Sequence, residues 1–184
     1  MITRNQTGMI LFVLSESIFF LLLVLAYIFY HRAGGAAHTA ATTLNVARTG
    51  FFSVALLSSS LTMRLAGLSS KRRRCGWTGI WLLGTIILGA VFLFGQGTEY
   101  ADLLRQHVTI SRDLFGTTFF TLTGFHGFHV SVGLVMLTIL LGLVTAGNGR
   151  DPGDPAMEAV SIYWHFVDGV WVVIFSVVYL WGLL

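Results

Sequence analysis

Five stretches of about twenty or more residues run through this chain almost without charge, at about 9–30, 46–68, 77–97, 115–145 and 160–184. No other feature narrows the fold as far. A helix crosses the roughly 30 Å hydrocarbon core of a bilayer in about 20 residues. Each of the five runs meets that length, so each reads as one membrane-spanning helix. The expected fold class is therefore all-α, a polytopic membrane bundle of five transmembrane helices forming a single domain over 1–184.

Composition agrees. Hydrophobic residues make up 55% of the chain and charged ones 10%, against about 25% charged in a soluble domain. The net charge is +3, but Lys71, Arg72, Arg73 and Arg74 stand together between two apolar runs. A short basic loop beside membrane spans sets topology and is not a nucleic-acid patch. Cys75, the one cysteine, can form no internal disulfide and reads as a bystander at the membrane surface. The first apolar run exceeds the roughly 7–15 residues of a signal-peptide core and carries Glu16 inside it. It is expected to be a retained helix, although the Ala-Gly-Gly-Ala-Ala after Arg32 resembles a cleavage site.

Four connections remain. The loop of about 31–45 is rich in Ala, Gly and Thr, and that of 69–76 is basic. The segment 98–113 carries Glu99, Asp102, Arg105, His107, Arg112 and Asp113, and reads as a surface helix. Gly147 to Glu158 holds both prolines and reads as a flexible turn. The aromatics Trp77, Trp81, Tyr179 and Trp181 fall at span ends, where such rings settle. With the N-terminus inside, the inner face holds Arg4, Lys71 to Arg74 and Arg150, with Arg64 near it. The outer face holds Arg32, Arg48, Arg105 and Arg112. The positive-inside rule then predicts a cytoplasmic N-terminus and an external C-terminus.

Ionisable groups inside spans cost several kcal/mol unless they face protein, water or a head group, so they are the candidates for function. Glu16, flanked by Ser15 and Ser17, reads either as a proton-accepting carboxylate or as a buried structural acid. His126 and His129 lie three apart in Gly124-Phe125-His126-Gly127-Phe128-His129 and are neighbours on one helix face. Two readings stand: a small metal site, for which no complete zinc set is placed, or structural hydrogen bonding. Gly124, Gly127 and Gly133 leave room for close helix approach. In Trp164-His165-Phe166-Val167-Asp168, His165 and Asp168 are spaced for a pair that joins helices, with no nucleophile motif beside it. Gln96 and Glu99 close the third span, either as a contact for lipid or another subunit, or as a plain solvated helix end.

Five blocks in order carry a family resemblance. They are Ser15-Glu16 leading into Tyr27 to His31, Leu44-Asn45 through Ser58 to Ser60, and Gly95-Gln96 to Glu99-Tyr100. Phe119-Phe120 to His129-Val130 and Tyr163-Trp164-His165-Phe166-Val167-Asp168 to Trp171 complete them. Together they resemble subunit III of cytochrome c oxidases and their quinol-oxidase relatives, in the short five-helix bacterial form. The resemblance implies a non-catalytic subunit of a proton-translocating, oxygen-reducing terminal oxidase in the bacterial plasma membrane. It implies subunits I and II as partners, heme and copper in those partners and none here, and structural phospholipid. Glu16 falls at the family's intramembrane glutamate, associated with carbodiimide reactivity and proton uptake. Glu99, His126, His129, Trp164, His165 and Asp168 fall at its signature positions, while Gly169 stands where many members carry a bulkier aliphatic residue. The competing classes are an accessory protein of a nitric oxide reductase, an independent proton-coupled transporter with Glu16 as its site, and a membrane heme or metal protein.

Overall fold

The structure, a computed structural model, describes residues 4–33, 46–106, 114–146 and 155–180. These residues form helices and no strands: α1 (Arg4–Ala33), α2 (Val46–Lys71), α3 (Cys75–Arg105), α4 (Leu114–Thr145) and α5 (Pro155–Phe175). The chain continues from α5 into a wider π-helical turn, Ser176–Leu180. All five helices are long and apolar enough to cross a membrane. At 1.5 Å rise per residue α3 and α4 each exceed 45 Å, so they tilt in a 30 Å core or stand out of it. The protein is a multi-pass membrane protein.

Several boundaries differ from those expected. α3 does not stop near Gly97 but runs on to Arg105, so 98–105 belongs to a span and not to a separate surface helix. α5 starts at Pro155, which removes Pro155 to Glu158 from the expected flexible turn. Proline suits a first helical position, where its missing N–H has no helical partner to lose. His107, Arg112, Asp113, Arg150 and Trp181 lie outside the described residues, as do most of the 31–45 loop and the rest of the Gly147 turn.

Between α2 and α3 the turn is tight. Arg74 N–H donates to Ser69 O at 3.0 Å and Arg73 N–H to Ser70 O at 2.9 Å. Arg73 sits at φ 56°. This crossed pair with a left-handed residue is the Schellman ending, where glycine is usual because a Cβ is strained there. Arg73→Gly is expected to raise stability by about 1 kcal/mol, read as a higher Tm in detergent; a fall in Tm would contradict this.

α2 pairs with α3 along its length, α4 packs on α3, and α5 lies against α1, α2 and α4. α1 touches chiefly α4 and α5 and buries the least of itself. Leu14, Ile18, Leu22 and Phe29 of α1 point outward, as suits a lipid-facing surface. Close approach relies on two glycines under one indole: a Cβ at Gly89 or at Gly133 would lie 2.8 Å from the Trp164 ring. Gly95 similarly lies under Phe52, whose ring a Cβ there would overlap.

Candidate functional site

The polar residues inside the bundle form three separate groups. The first joins α1 to α4. His129 Nε2 lies 3.1 Å from Glu16 Oε2, and His129 Nδ1 lies 2.7 Å from the carbonyl of Phe125, one turn back. A carbonyl only accepts, so Nδ1 carries a proton. The Nε2 to Oε2 contact then needs a single proton of its own, on the ring or on the carboxyl. Glu16 and His129 are therefore a proton-sharing pair, ionised or neutral. Both are mostly covered, with side-chain exposures of 22% and 10%. The Phe20 ring stands edge-on to His129 at 5.0 Å, and Tyr163 donates to the His129 carbonyl at 3.0 Å.

His126, one helical turn away, takes another course. Its ring is fully buried and stacks on Trp171 at 4.9 Å and 26°, with Phe92 edge-on at 5.8 Å. Neither ring nitrogen has a hydrogen-bond partner among the described residues. Structural hydrogen bonding thus describes His129 and not His126, because the aromatic wall of α3 and α5 meets the ring first. Both imidazoles meet Phe20 of α1, but only His129 reaches a carboxylate, and among the described residues no three His, Cys, Asp or Glu gather as a metal set.

The second group joins α2 to α5. Ser60 Oγ lies 2.9 Å from His165 Nδ1 and donates to Asp168 Oδ2. Since that hydroxyl proton is used on Asp168, His165 Nδ1 is the donor to Ser60. His165 and Asp168 are linked through a serine of another helix. Asp168 is 3% exposed, and its second oxygen, Oδ1, has no partner among the described residues. Next to it, Trp164 Nε1 donates to Ser59 Oγ at 2.9 Å and Trp171 Nε1 to Ser53 Oγ at 2.8 Å. Ser53, Ser59 and Ser60 thus seat α5 on α2. In the sequence Ser58 to Ser60 count only as part of a block of the family resemblance, with no sign of the indole and carboxylate that Ser59 and Ser60 meet.

The third group lies at the far end of α3. Glu99 is 9% exposed, accepting from Thr49 at 2.8 Å and from Tyr179 at 2.7 Å. Gln96 donates to Thr123 O at 2.7 Å and to Tyr100 Oη at 3.2 Å. The solvated helix end is thereby excluded, since both side chains are buried and used inside the chain. The π-helical turn carries Tyr179 to Glu99. Above them Arg48 pairs with Asp102 at 2.6 Å across α2 and α3.

Beside the first group, α1 and α5 enclose an apolar groove of about 360 Å³. Ser17, Phe20 and Leu21 line one wall, Phe166, Gly169 and Val173 the other. A Cβ at Gly169 would meet nothing within 4 Å, so this glycine keeps the groove open.

A five-span bundle whose carboxylates Glu16, Glu99 and Asp168 each bond a side chain of another helix defines an embedded, helix-joining membrane protein. Comparison with known proteins names the family. The family model of cytochrome c oxidase subunit III matches residues 3–183. The probable cytochrome c oxidase subunit 3 of Mycobacterium leprae is 33% identical over 174 residues, covering 95% of this chain and 86% of that protein. Cytochrome c oxidase subunit 3 of Corynebacterium diphtheriae is 35% identical over 178 residues, with 95% and 86% covered. Cytochrome bo(3) ubiquinol oxidase subunit 3 of Pseudomonas aeruginosa is 39% identical over 129 residues, with 70% and 62% covered. The chain belongs to the cytochrome c oxidase subunit III family. It is subunit III of a heme-copper oxidase, of the cytochrome c or quinol type.

Proposed function

We propose that this chain is a non-catalytic subunit that stabilises subunit I, holds phospholipid against α1 and supports proton uptake during oxygen reduction. The observation that carries the reading is the Glu16–His129 pair, whose Nδ1–H is fixed by Phe125 and whose remaining proton has two resting places. Such a pair takes up and releases a proton without moving a helix. It stands next to the α1/α5 groove, whose apolar walls suit an acyl chain. α1, the least covered helix, offers its outer face to lipid or to a neighbouring subunit. Subunits I and II are the proposed partners and carry the heme and copper. Lys71 to Arg74 lie at the end where α1 begins, which supports a cytoplasmic N-terminus.

The test is Glu16→Ala in the assembled oxidase. Subunit stoichiometry is expected to stay unchanged, while the number of turnovers before inactivation, or the rate of proton uptake, falls severalfold. Glu16→Gln, which keeps the shape and loses the exchangeable proton, is expected to follow Glu16→Ala. Wild-type lifetime together with wild-type proton uptake in both variants would sink the proposal.

A further inference from the structure

Every carboxylate among the described residues is already engaged within the chain. Glu16 meets His129, Glu99 takes Thr49 and Tyr179, and Asp168 takes Ser60. Asp102 holds Arg48 and has Arg105 3.7 Å away, while Glu158 takes Gln6 and has Lys71 3.8 Å away. Arg64 of α2 is left over: it is exposed, and among the described residues no carboxylate is in ion-pair reach of it.

Depth decides what can meet this charge. Arg64 lies seven residues before Lys71, where α2 ends, hence about 10 Å back along the helix. Lys71 to Arg74 mark the membrane surface at that end, so Arg64 stands below it. A guanidinium there is costly unless an anion faces it. Lipid phosphates belong to the surface level, where Lys71 to Arg74 already offer four cations. A carboxylate carried on a membrane helix can be presented at any depth.

The surface around Arg64 is apolar and regular. Val54, Leu57, Leu61 and Leu68 of α2 are all exposed. Together with Arg64 they follow a three-four-three-four spacing, so the five side chains form one row along the helix. Such a row suits a second helix crossing at a shallow angle, and a single polar group within it fixes the register of the pair.

We propose that this row of α2 seats one transmembrane helix of a neighbouring oxidase subunit, and that this helix carries a carboxylate facing Arg64. The inference rests on the reading of this chain as an oxidase subunit and names the chemistry of one of its contacts. The planar guanidinium fork takes both oxygens of a carboxylate at once. The four apolar side chains flank the pair along the row and keep water from it. Against acyl chains an apolar row alone gives little preference for a protein partner, so the charge pair selects the helix and sets its height.

The experiment places a photo-cross-linking amino acid at Leu61, one turn from Arg64, in the assembled oxidase purified through this chain. Cross-linked peptides are then sequenced by mass spectrometry. A heme spectrum of the same preparation reports separately on the subunit reading. Without co-purified heme that reading fails and the proposal with it; with heme present, the contact alone is under test. The expected product is one membrane span of another oxidase subunit, with an Asp or Glu within a turn of the cross-linked position. A cross-link to lipid alone, to another part of this chain, or to a span without a carboxylate overturns the proposal. Arg64→Gln is expected to speed loss of the same subunit during detergent washing about tenfold, the upper end for a polar contact between membrane helices. Arg64→Lys keeps the charge and loses the fork, and is expected to stay within about threefold of wild type. Loss at the wild-type rate in Arg64→Gln would overturn the proposal equally.

Discussion

Replacing Trp164 with alanine is expected to lower the stability of the protein by about 3 kcal/mol, the lower end for deleting a buried indole. The reason is that this side chain of α5 contacts three other helices at once. Its ring lies over Gly89 of α3 and Gly133 of α4, and its N–H reaches Ser59 of α2. The residue is 0% exposed, so no lipid or water moves in cheaply to replace it. In a membrane the hydrophobic transfer term between helices is weak, and association depends on close van der Waals contact. Removing the ring therefore removes the interaction that defines the seam. For a chain of 184 residues, 3 kcal/mol corresponds to a Tm about 10 °C lower in detergent. Trp164→Phe retains most contacts and loses only the N–H donor, so its cost is expected near 1 kcal/mol. Ser59 keeps its own bond to the Leu56 carbonyl at 2.6 Å and is not orphaned by either change. A Tm within a degree of wild type in Trp164→Ala would show that α5 is held by something else.

The membrane bundle was legible because lipid imposes length. A run of twenty apolar residues has few other fates, and the five such runs became five spans. Span ends were less legible, since charged residues mark an end only when water solvates them. Glu99 and Asp102 read as surface residues, yet Thr49 and Arg48 of α2 and Tyr179 beyond α5 satisfy them and let α3 continue to Arg105. Those partners lie fifty or more residues away in the chain. The same limit applied within the site. Spacing placed His126 and His129 on one face, as helical periodicity requires, but could not show that one ring would meet Glu16 and the other Trp171. His165 and Asp168 were rightly spaced to act together, but their link, Ser60, comes from α2. Serine in a span is common enough to carry no signal alone. The spacing of Ser53, Ser59 and Ser60 against the indoles and carboxylate of α5 was a usable one.

Asp168 shows how the bundle handles a carboxyl in the membrane, and its substitutions separate charge from hydrogen bonding. Asp168→Leu is expected to destabilise the α2/α5 seam by about 1–3 kcal/mol, because Ser60 loses the acceptor it is aimed at. Ser60 is then free to turn to His165, which sits 2.9 Å away, so part of the loss is recovered locally. Asp168→Asn keeps an acceptor oxygen of the same reach, and its added N–H₂ must find a partner where Oδ1 has none among the described residues. If Asp168 acts only as an acceptor for Ser60, the asparagine variant stays within about 1 kcal/mol of wild type while the leucine variant does not. If a charge at Asp168 is required, asparagine falls with leucine, since both are uncharged. A double substitution with Ser60→Ala decides which contact is being measured: coupling of at least about 0.5 kcal/mol between positions 60 and 168 assigns the loss to their hydrogen bond. Retention of this chain in the oxidase during detergent washing, measured beside Tm, reads the same seam from the side of the complex. Additive effects at the two positions would mean that the serine and the aspartate stabilise the protein independently, and that the seam rests on Trp164 and Trp171.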